Sequence, residues 1–396
     1  MKKSLLFVID SLDCAGAEKS LVTLLSLIDY SRFTVDLMLF SHGCILEKLV
    51  PEQVNILKPL NYSTFAIKPI NQSFKESISK MDFKMFTSRM KYSTAIRLKK
   101  YRNSQKARVY WQSVSSVIEN NAKTYDIAIS YAQGVPTFYV AEKVNANKKL
   151  AWVNVSYRLT GKDKVFQKKY YDQYDKIVGV SESTKEIFLE TFPEYRSKME
   201  VIYDINNPQF ISDMADIGDG YEDNFDGVRI LTIGRLARQK GYDIALEACK
   251  KLKEKGIDFK WYVLGKGPLK KEIRQYVVTH DLTDHFILLG VKANPYPYIK
   301  KSDIYVQTSK FEGFGLAIAE ARMLNVPVVT TKFDAVYNQM VQNKNGLVVN
   351  MDSESVADGI INLINNHNLR NEITEYLKLE KKGNVEEIEK FYNLVV

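Results

Sequence analysis

Ile304-Tyr-Val-Gln-Thr308-Ser-Lys-Phe-Glu312-Gly-Phe-Gly-Leu316-Ala-Ile-Ala-Glu320-Ala321 holds one complete strand–loop–helix unit. The run Ile304–Thr308 is short and largely apolar, as in a strand buried on both faces. Gly313 and Gly315, flanking Phe314, separate it from a helix expected over Leu316–Leu324. The same alternation recurs along the chain. Strands are expected at Leu5–Asp10, Phe33–Phe40, Asp126–Tyr131, Leu150–Val155, Lys176–Val180 and Met199–Tyr203. In the second half they fall at Arg229–Ile233, Lys260–Leu264, Phe286–Leu289, Val326–Thr331 and Gly346–Val349. Helical stretches such as Tyr242–Lys255, Leu269–His280 and Ser355–Asn365 lie between them. Such alternation implies an α/β chain with doubly wound parallel sheets.

The pattern pauses at residues 205–227, a stretch rich in Asn, Asp, Gly and Pro that reads as a linker. A chain of 396 residues exceeds one compact core. The expected domains are residues 1–205 and 206–378, followed by a C-terminal segment, 379–396, with a charged helix near Asn384–Tyr392 that packs back on the first domain. Within the first domain, residues 61–110 form a Ser/Lys/Tyr-rich, helical insertion.

Charge is concentrated there. The chain carries 56 Lys+Arg against 47 Asp+Glu, a formal net charge of +9. Ten Lys/Arg and a single acid, Asp82, lie between Lys80 and Arg108, so that window holds the whole excess. A local basic surface is expected rather than a general affinity for polyanions. Hydrophobic content of 45% argues against a disordered chain. Cys14, Cys44 and Cys249 are odd in number and far apart, which fits a reducing compartment and neither a disulfide framework nor a zinc site. The opening run Leu5–Ile9 is too short for a signal peptide, and no stretch reaches the roughly 18 apolar residues of a membrane span. A cytoplasmic protein is expected, at most lying on a membrane surface.

Ligands of open α/β sheets bind outside the carboxyl ends of the strands. Four loops qualify. In Asp10-Ser-Leu-Asp-Cys-Ala-Gly16-Ala-Glu18, Gly16 permits close backbone approach, and the helix start beyond it can receive an anion; an ordinary turn explains it equally well. Gly234-Arg235-Leu-Ala-Arg-Gln-Lys240-Gly241 offers two cations that can converge on one phosphate, or a solvated loop. Leu264-Gly-Lys-Gly-Pro268 has only a lone G-x-G, read either as a place where a ligand nears the backbone or as a plain turn. The fourth loop is the most specific. The N–H groups of Phe314, Gly315 and Leu316 suit a diphosphate at a helix start. Glu312 and Glu320 on either side are poor phosphate ligands but good acceptors of sugar hydroxyl hydrogens. A solvated Glu320 is disfavoured by the apolar residues Leu316–Ala319 before it. This set suits a nucleotide sugar.

Glu312 and Glu320 reproduce the E-x7-E pattern of the retaining glycosyltransferases of family 4, and the resemblance covers essentially the whole chain. Gly16-Ala-Glu18 is similar to the family's G-G-A-E loop, and Gly234-Arg235…Lys240-Gly241 resembles its G-R…K-G loop. The likeness is to bacterial capsule, exopolysaccharide and teichoic-acid enzymes. It implies the GT-B fold: two Rossmann-like domains facing a cleft, the first binding the acceptor and the second the nucleotide sugar. It also implies a retaining, metal-independent hexosyl transfer, with a UDP-sugar favoured as donor and a saccharide, lipid-linked, as acceptor. Arg235 and Lys240 would neutralise the leaving diphosphate, Glu312 would bind the donor sugar, and Glu320 the ribose. Gly16, Gly313, Phe314, Gly315 and Leu316 would cradle the phosphates, and Val291 with Lys292 would meet the base. No cofactor is expected beyond the donor, and no metal. Where many members carry A-W-V-H, this chain has Ala151-Trp-Val-Asn154, so the acceptor-side position cannot ionise.

Within Lys80–Arg108 the cations alternate with Met81, Phe83, Phe86, Met90, Leu98 and Tyr101. That composition reads as a surface for anionic lipid, with a solvated face as its bland counterpart. Nucleic-acid binding is the non-enzymatic rival, and it leaves both glutamates unexplained. Among enzymes, the rivals are a nucleotide-sugar epimerase or a phosphorylase on the same scaffold.

Overall fold

The computed structural model describes every residue except Met1, Cys14, Ala15, Lys100, Arg102, Ser156, Tyr157, Ala293, Gly313, Phe314 and Ala335, and the side chains of Ile45, Asn103 and Ser104. The chain divides into two compact units, Met1–Ile205 with Glu386–Val396, and Asn206–Val385.

The first unit is built on seven parallel strands: β1 (Lys3–Ile9), β2 (Phe33–Leu39), β3 (Val54–Ile56), β4 (Thr124–Ser130), β5 (Asn145–Val153), β6 (Lys176–Gly179) and β7 (Met199–Val201). Their order is β3-β2-β1-β4-β5-β6-β7. Leu5, Leu6, Phe7 and Val8 of β1 are all fully buried, which is why this strand reads as a continuous apolar run. The second unit has six: β8 (Val228–Ile233), β9 (Phe259–Leu264), β10 (Phe286–Gly290), β11 (Ile304–Gln307), β12 (Val328–Thr331) and β13 (Gly346–Val349), ordered β10-β9-β8-β11-β12-β13. Every pairing is parallel. Both sheets are therefore Rossmann-like. In each, the strand order reverses between the first and fourth strands, and loops leaving that point part to open a crevice.

The expected strands are all present, and β3 is added. Its three residues, Val-Asn-Ile, form an edge strand too short to show a period.

The stretch read as a linker differs from expectation. It contains the helix Pro208–Ala215, whose N-cap Asn207 accepts hydrogen bonds from the N–H groups of Gln209 (3.1 Å) and Phe210 (3.3 Å). Asn followed by Pro marks a helix start as readily as a turn. Farther on, Asp223 accepts from Tyr262 at 2.5 Å and from Lys260 at 3.1 Å, tying this stretch to the second sheet.

Among the described residues the insertion carries the helices Asn61–Ile67, Ile70–Ser79, Lys84–Leu98 and Asn103–Val114. The final helix, Glu387–Val395, begins later than its expected position and lies with the first unit, whereas residues 379–385 lie with the second.

Candidate active site

β8 and β11 are neighbours at the reversal point of the second sheet, and the loops leaving them are bonded together. Thr308 Oγ1 donates to the Lys240 carbonyl (2.9 Å), the Lys310 N–H to the Gln239 carbonyl (2.8 Å), and Gln239 Nε2 to the Phe311 carbonyl (3.0 Å). Gly241 has φ 64°, and a Cβ there would fall 1.9 Å from the Thr308 carbonyl oxygen. Only glycine fits both demands.

This junction sets Lys240 against Glu312. Their side chains form a short ion pair and are 21% and 10% exposed. The same carboxylate oxygen, Oε1, accepts from Ser309 Oγ at 2.6 Å and from Gln307 Nε2 at 3.1 Å. The Gln307 oxygen accepts in turn from the Tyr305 hydroxyl at 2.5 Å. Burial, with the charges of Glu320 and Glu312 adding, raises the Tyr305 phenol well above its ordinary range, so it remains a donor. Three donors on one oxygen fix the carboxylate plane and leave Oε2 without a donor among the described residues.

Glu320 lies one turn into the helix Leu316–Met323 and is 4% exposed, not solvated. Tyr296 donates to its Oε1 at 3.2 Å. The helix is braced at both ends: Gln339 Nε2 donates to the Gly315 carbonyl (3.2 Å) at its start, and Arg322 in its last turn pairs with Glu380 (2.6 Å). Leu316 opens the helix half-buried, whereas Gly313 and Phe314 lie outside the described residues. Of the two cations expected on one phosphate, Lys240 is held by Glu312, and Arg235 is exposed just beyond β8. Val291 and Lys292 follow β10 half-buried, with the Lys292 ammonium 5.6 Å from the Tyr298 ring centre.

The G-x-G after β9 has a packing role. A Cβ on Gly265 would lie 2.0 Å from the Gly234 carbonyl oxygen, and one on Gly267 would lie 2.3 Å from that of Leu236. These glycines let the loop pack on the chain's own backbone and carry the segment that includes Arg235.

In the first unit, Gly16 opens the helix Gly16–Leu27. Asp10, at the end of β1, keeps solvent contact, yet the protein mass around it pushes its carboxyl up to about 7, with the charge of Glu18 adding. Ser20 Oγ donates to Asp204 at 2.6 Å and lies 3.0 Å from the Tyr131 hydroxyl. Asn154 Nδ2 donates to the Tyr131 carbonyl at 2.6 Å, while its Oδ1 is buried with no partner among the described residues. An acceptor in that state has room for one hydroxyl hydrogen.

Sequence reasoning missed Gln307, Tyr305 and Tyr296. Gln307 carried a signal, being polar at the carboxyl end of an otherwise apolar strand. Tyr296 carried none, since only the fold brings it to Glu320. Among the described residues no three His, Cys, Asp or Glu side chains gather as a metal-ligand set.

Residues 222–380 match the family of glycosyl transferases group 1. The chain is similar to a Campylobacter jejuni N-acetylgalactosamine-N,N'-diacetylbacillosaminyl-diphospho-undecaprenol 4-alpha-N-acetylgalactosaminyltransferase, 27% identical over 54% of this chain and 57% of that protein. It is also similar to a Staphylococcus aureus poly(ribitol-phosphate) alpha-N-acetylglucosaminyltransferase, 28% identical over 59% of this chain and 47% of that one. The chain spans about half the length of the curated relatives it matches. Among solved structures, Anabaena HepE in complex with UDP and glucose shares the fold, with a TM-score of 0.65 at 16% identity over 99% of this chain and 98% of that one. Residues 222–380 thus resemble the glycosyl transferases group 1, and the two Rossmann-like sheets have the GT-B fold of the solved neighbours.

Proposed function

We propose that this chain is a retaining, metal-independent glycosyltransferase of bacterial surface polysaccharide synthesis. It moves a sugar from a nucleotide-diphosphate sugar, a UDP-sugar in the first instance, to a lipid-linked saccharide at the inner face of the membrane. The observation that carries the reading is the buried pair of carboxylates, each held by a named donor, on either side of a helix start at the reversal point of the second sheet.

Glu312 keeps Oε2 for hydroxyls of the transferred sugar, and Glu320 receives the ribose beside Tyr296. An ammonium has three N–H donors, so Lys240 can hold Glu312 and meet a phosphate oxygen together. Arg235 supplies the second positive charge, so neutralisation of the leaving diphosphate does not call for a metal. Asn154 Oδ1 accepts a sugar hydroxyl on the acceptor side. The acceptor oxygen attacks the anomeric carbon on the face from which the phosphate departs, and the departing phosphate oxygen takes the acceptor's proton. Catalysis is then positioning and stabilisation of departing charge.

A thermal-shift series with UDP, GDP and their sugars tests the donor. UDP ligands are expected to raise the melting temperature through linkage, and Glu320→Gln to reduce that rise. A rise unaffected by the substitution removes the ribose assignment. Proton NMR of the product reads the anomer, and inversion would sink the retaining mechanism.

A further inference from the structure

The inserted helices carry an apolar face that no described part of the chain covers. On Ile70–Ser79, Ile70, Phe74 and Ile78 recur every fourth residue and are 47%, 45% and 51% exposed, while Ser73 and Ser77 are buried. This inverts the usual amphipathic helix, whose apolar stripe faces the core. Ring contacts extend the face, with Phe74 lying 6.4 Å from Phe83 and 5.3 Å from Phe86 between centroids. From Phe86 an apolar groove follows the helix Lys84–Leu98 through Met90 and Ala95 to Leu98. Met81, at the turn between the two helices, is 90% exposed. Contiguous exposed apolar surface of this kind marks a docking site.

Charge identifies the occupant. Residues 67–99 contain eight Lys/Arg against Glu76 and Asp82 alone. Lys75, Lys80, Lys84, Lys91 and Arg97 are exposed beside the apolar face. A second copy of the chain would set two such cationic faces against each other, and like charges repel across an interface. A nucleic acid would answer the cations and leave Ile70, Ile78 and Met81 in water. An anionic bilayer answers both, taking apolar side chains at its headgroup–acyl boundary and cations at its phosphates.

We propose that the face formed by the helices Ile70–Ser79 and Lys84–Leu98 docks this chain on an anionic lipid surface, with Phe74, Ile78, Met81 and Leu98 entering the boundary. The proposal rests on the reading of a lipid-linked acceptor, and it moves the docking element beyond the cation-rich window to include the apolar row that precedes it.

Vesicle flotation of the full chain tests it, with phosphatidylcholine alone and with about one-third phosphatidylglycerol. Partition into anionic vesicles is expected to exceed that into neutral ones by about tenfold or more. Ile78→Asp with Met81→Asp should lower anionic binding by about tenfold, and Lys75→Gln with Lys84→Gln by a similar factor. Both pairs sit at exposed positions, and unchanged thermal melting would show that they fold. Equal partition into both vesicle types, or anionic binding unaffected by the paired Asp substitutions, overturns the proposal. So does a dimer in light scattering that these substitutions dissolve while vesicles are never bound, and so does RNA binding in their place. UDP-induced stabilisation is measured on the same samples. Its loss with vesicle binding intact would remove the glycosyl-transfer reading and leave the docking surface standing.

Discussion

Lys240 and Glu312 answer each other across two loops, and neither is placed by its own element alone. Gly241 brings the first loop within contact of Thr308, and Ser309 and Gln307 share the Glu312 oxygen that Lys240 holds. Lys240→Ala leaves a largely buried carboxylate with two neutral donors and no counter-charge. Hydrogen bonds to charged groups contribute about 1.5–3 kcal/mol, so a loss of that order is expected in denaturant unfolding. Turnover should fall by about 100-fold, as when one group stabilising departing charge is removed elsewhere. Melting intact with turnover unchanged would show that Lys240 has no part in the reaction.

The helix Glu387–Val395 returns to the first unit and completes its core. Phe391 is fully buried, with its ring centre 6.1 Å from Phe7 of β1 and 6.3 Å from Trp152 of β5. Tyr392 stacks on Phe33 at 5.9 Å and donates to the Leu27 carbonyl at 3.1 Å. Lys3 and Lys148 donate to the carbonyls of Val395 (3.3 Å) and Leu394 (2.6 Å), placing cations at the negative end of the helix. Phe391→Ala should cost about 3–5 kcal/mol, the range for deleting a buried aromatic ring. Chemical denaturation followed by circular dichroism measures it, and a cost near zero would show that the helix is dispensable. The sequence pattern marked this element as helical and charged. Its burial depends on the ring of Phe391 meeting two strands far away in the chain.

Charge shows the molecule as a whole most clearly. The excess lies on one insertion, while elsewhere the first unit holds carboxyls that resist ionisation. Burial pushes Asp204 up to about 6 from an ordinary 3.8, partly offset by its hydrogen bond from Ser20. A raised carboxyl pKa means that the folded state holds the proton more tightly than the unfolded chain does. Its stabilising contribution is therefore complete below about 3.8 and is lost as pH rises through about 6. Wild-type melting temperature, compared with that of Asp204→Asn, should decline across that window. A flat difference would show that Asp204 titrates normally.

The two wound sheets were legible without the structure, because strands buried on both faces must be apolar runs and their spacing leaves room only for crossover helices. The sequence also marked both glutamates, since Glu320 follows four apolar residues on a helix that had to be buried. The tertiary structure decided the rest. Lys240 meets Glu312 only when β8 and β11 lie side by side, Tyr296 meets Glu320 only in the folded second unit, and no local period encodes either neighbourhood. The glycines after β9 could be read as a plain turn or as a place for a ligand, and the fold shows that they pack on the chain's own backbone, because what lies across from a missing Cβ is a property of the fold. The apolar row Ile70, Phe74, Ile78 has the spacing of a core-facing stripe. Only the folded insertion, with Ser73 and Ser77 turned inward, shows that this stripe faces out.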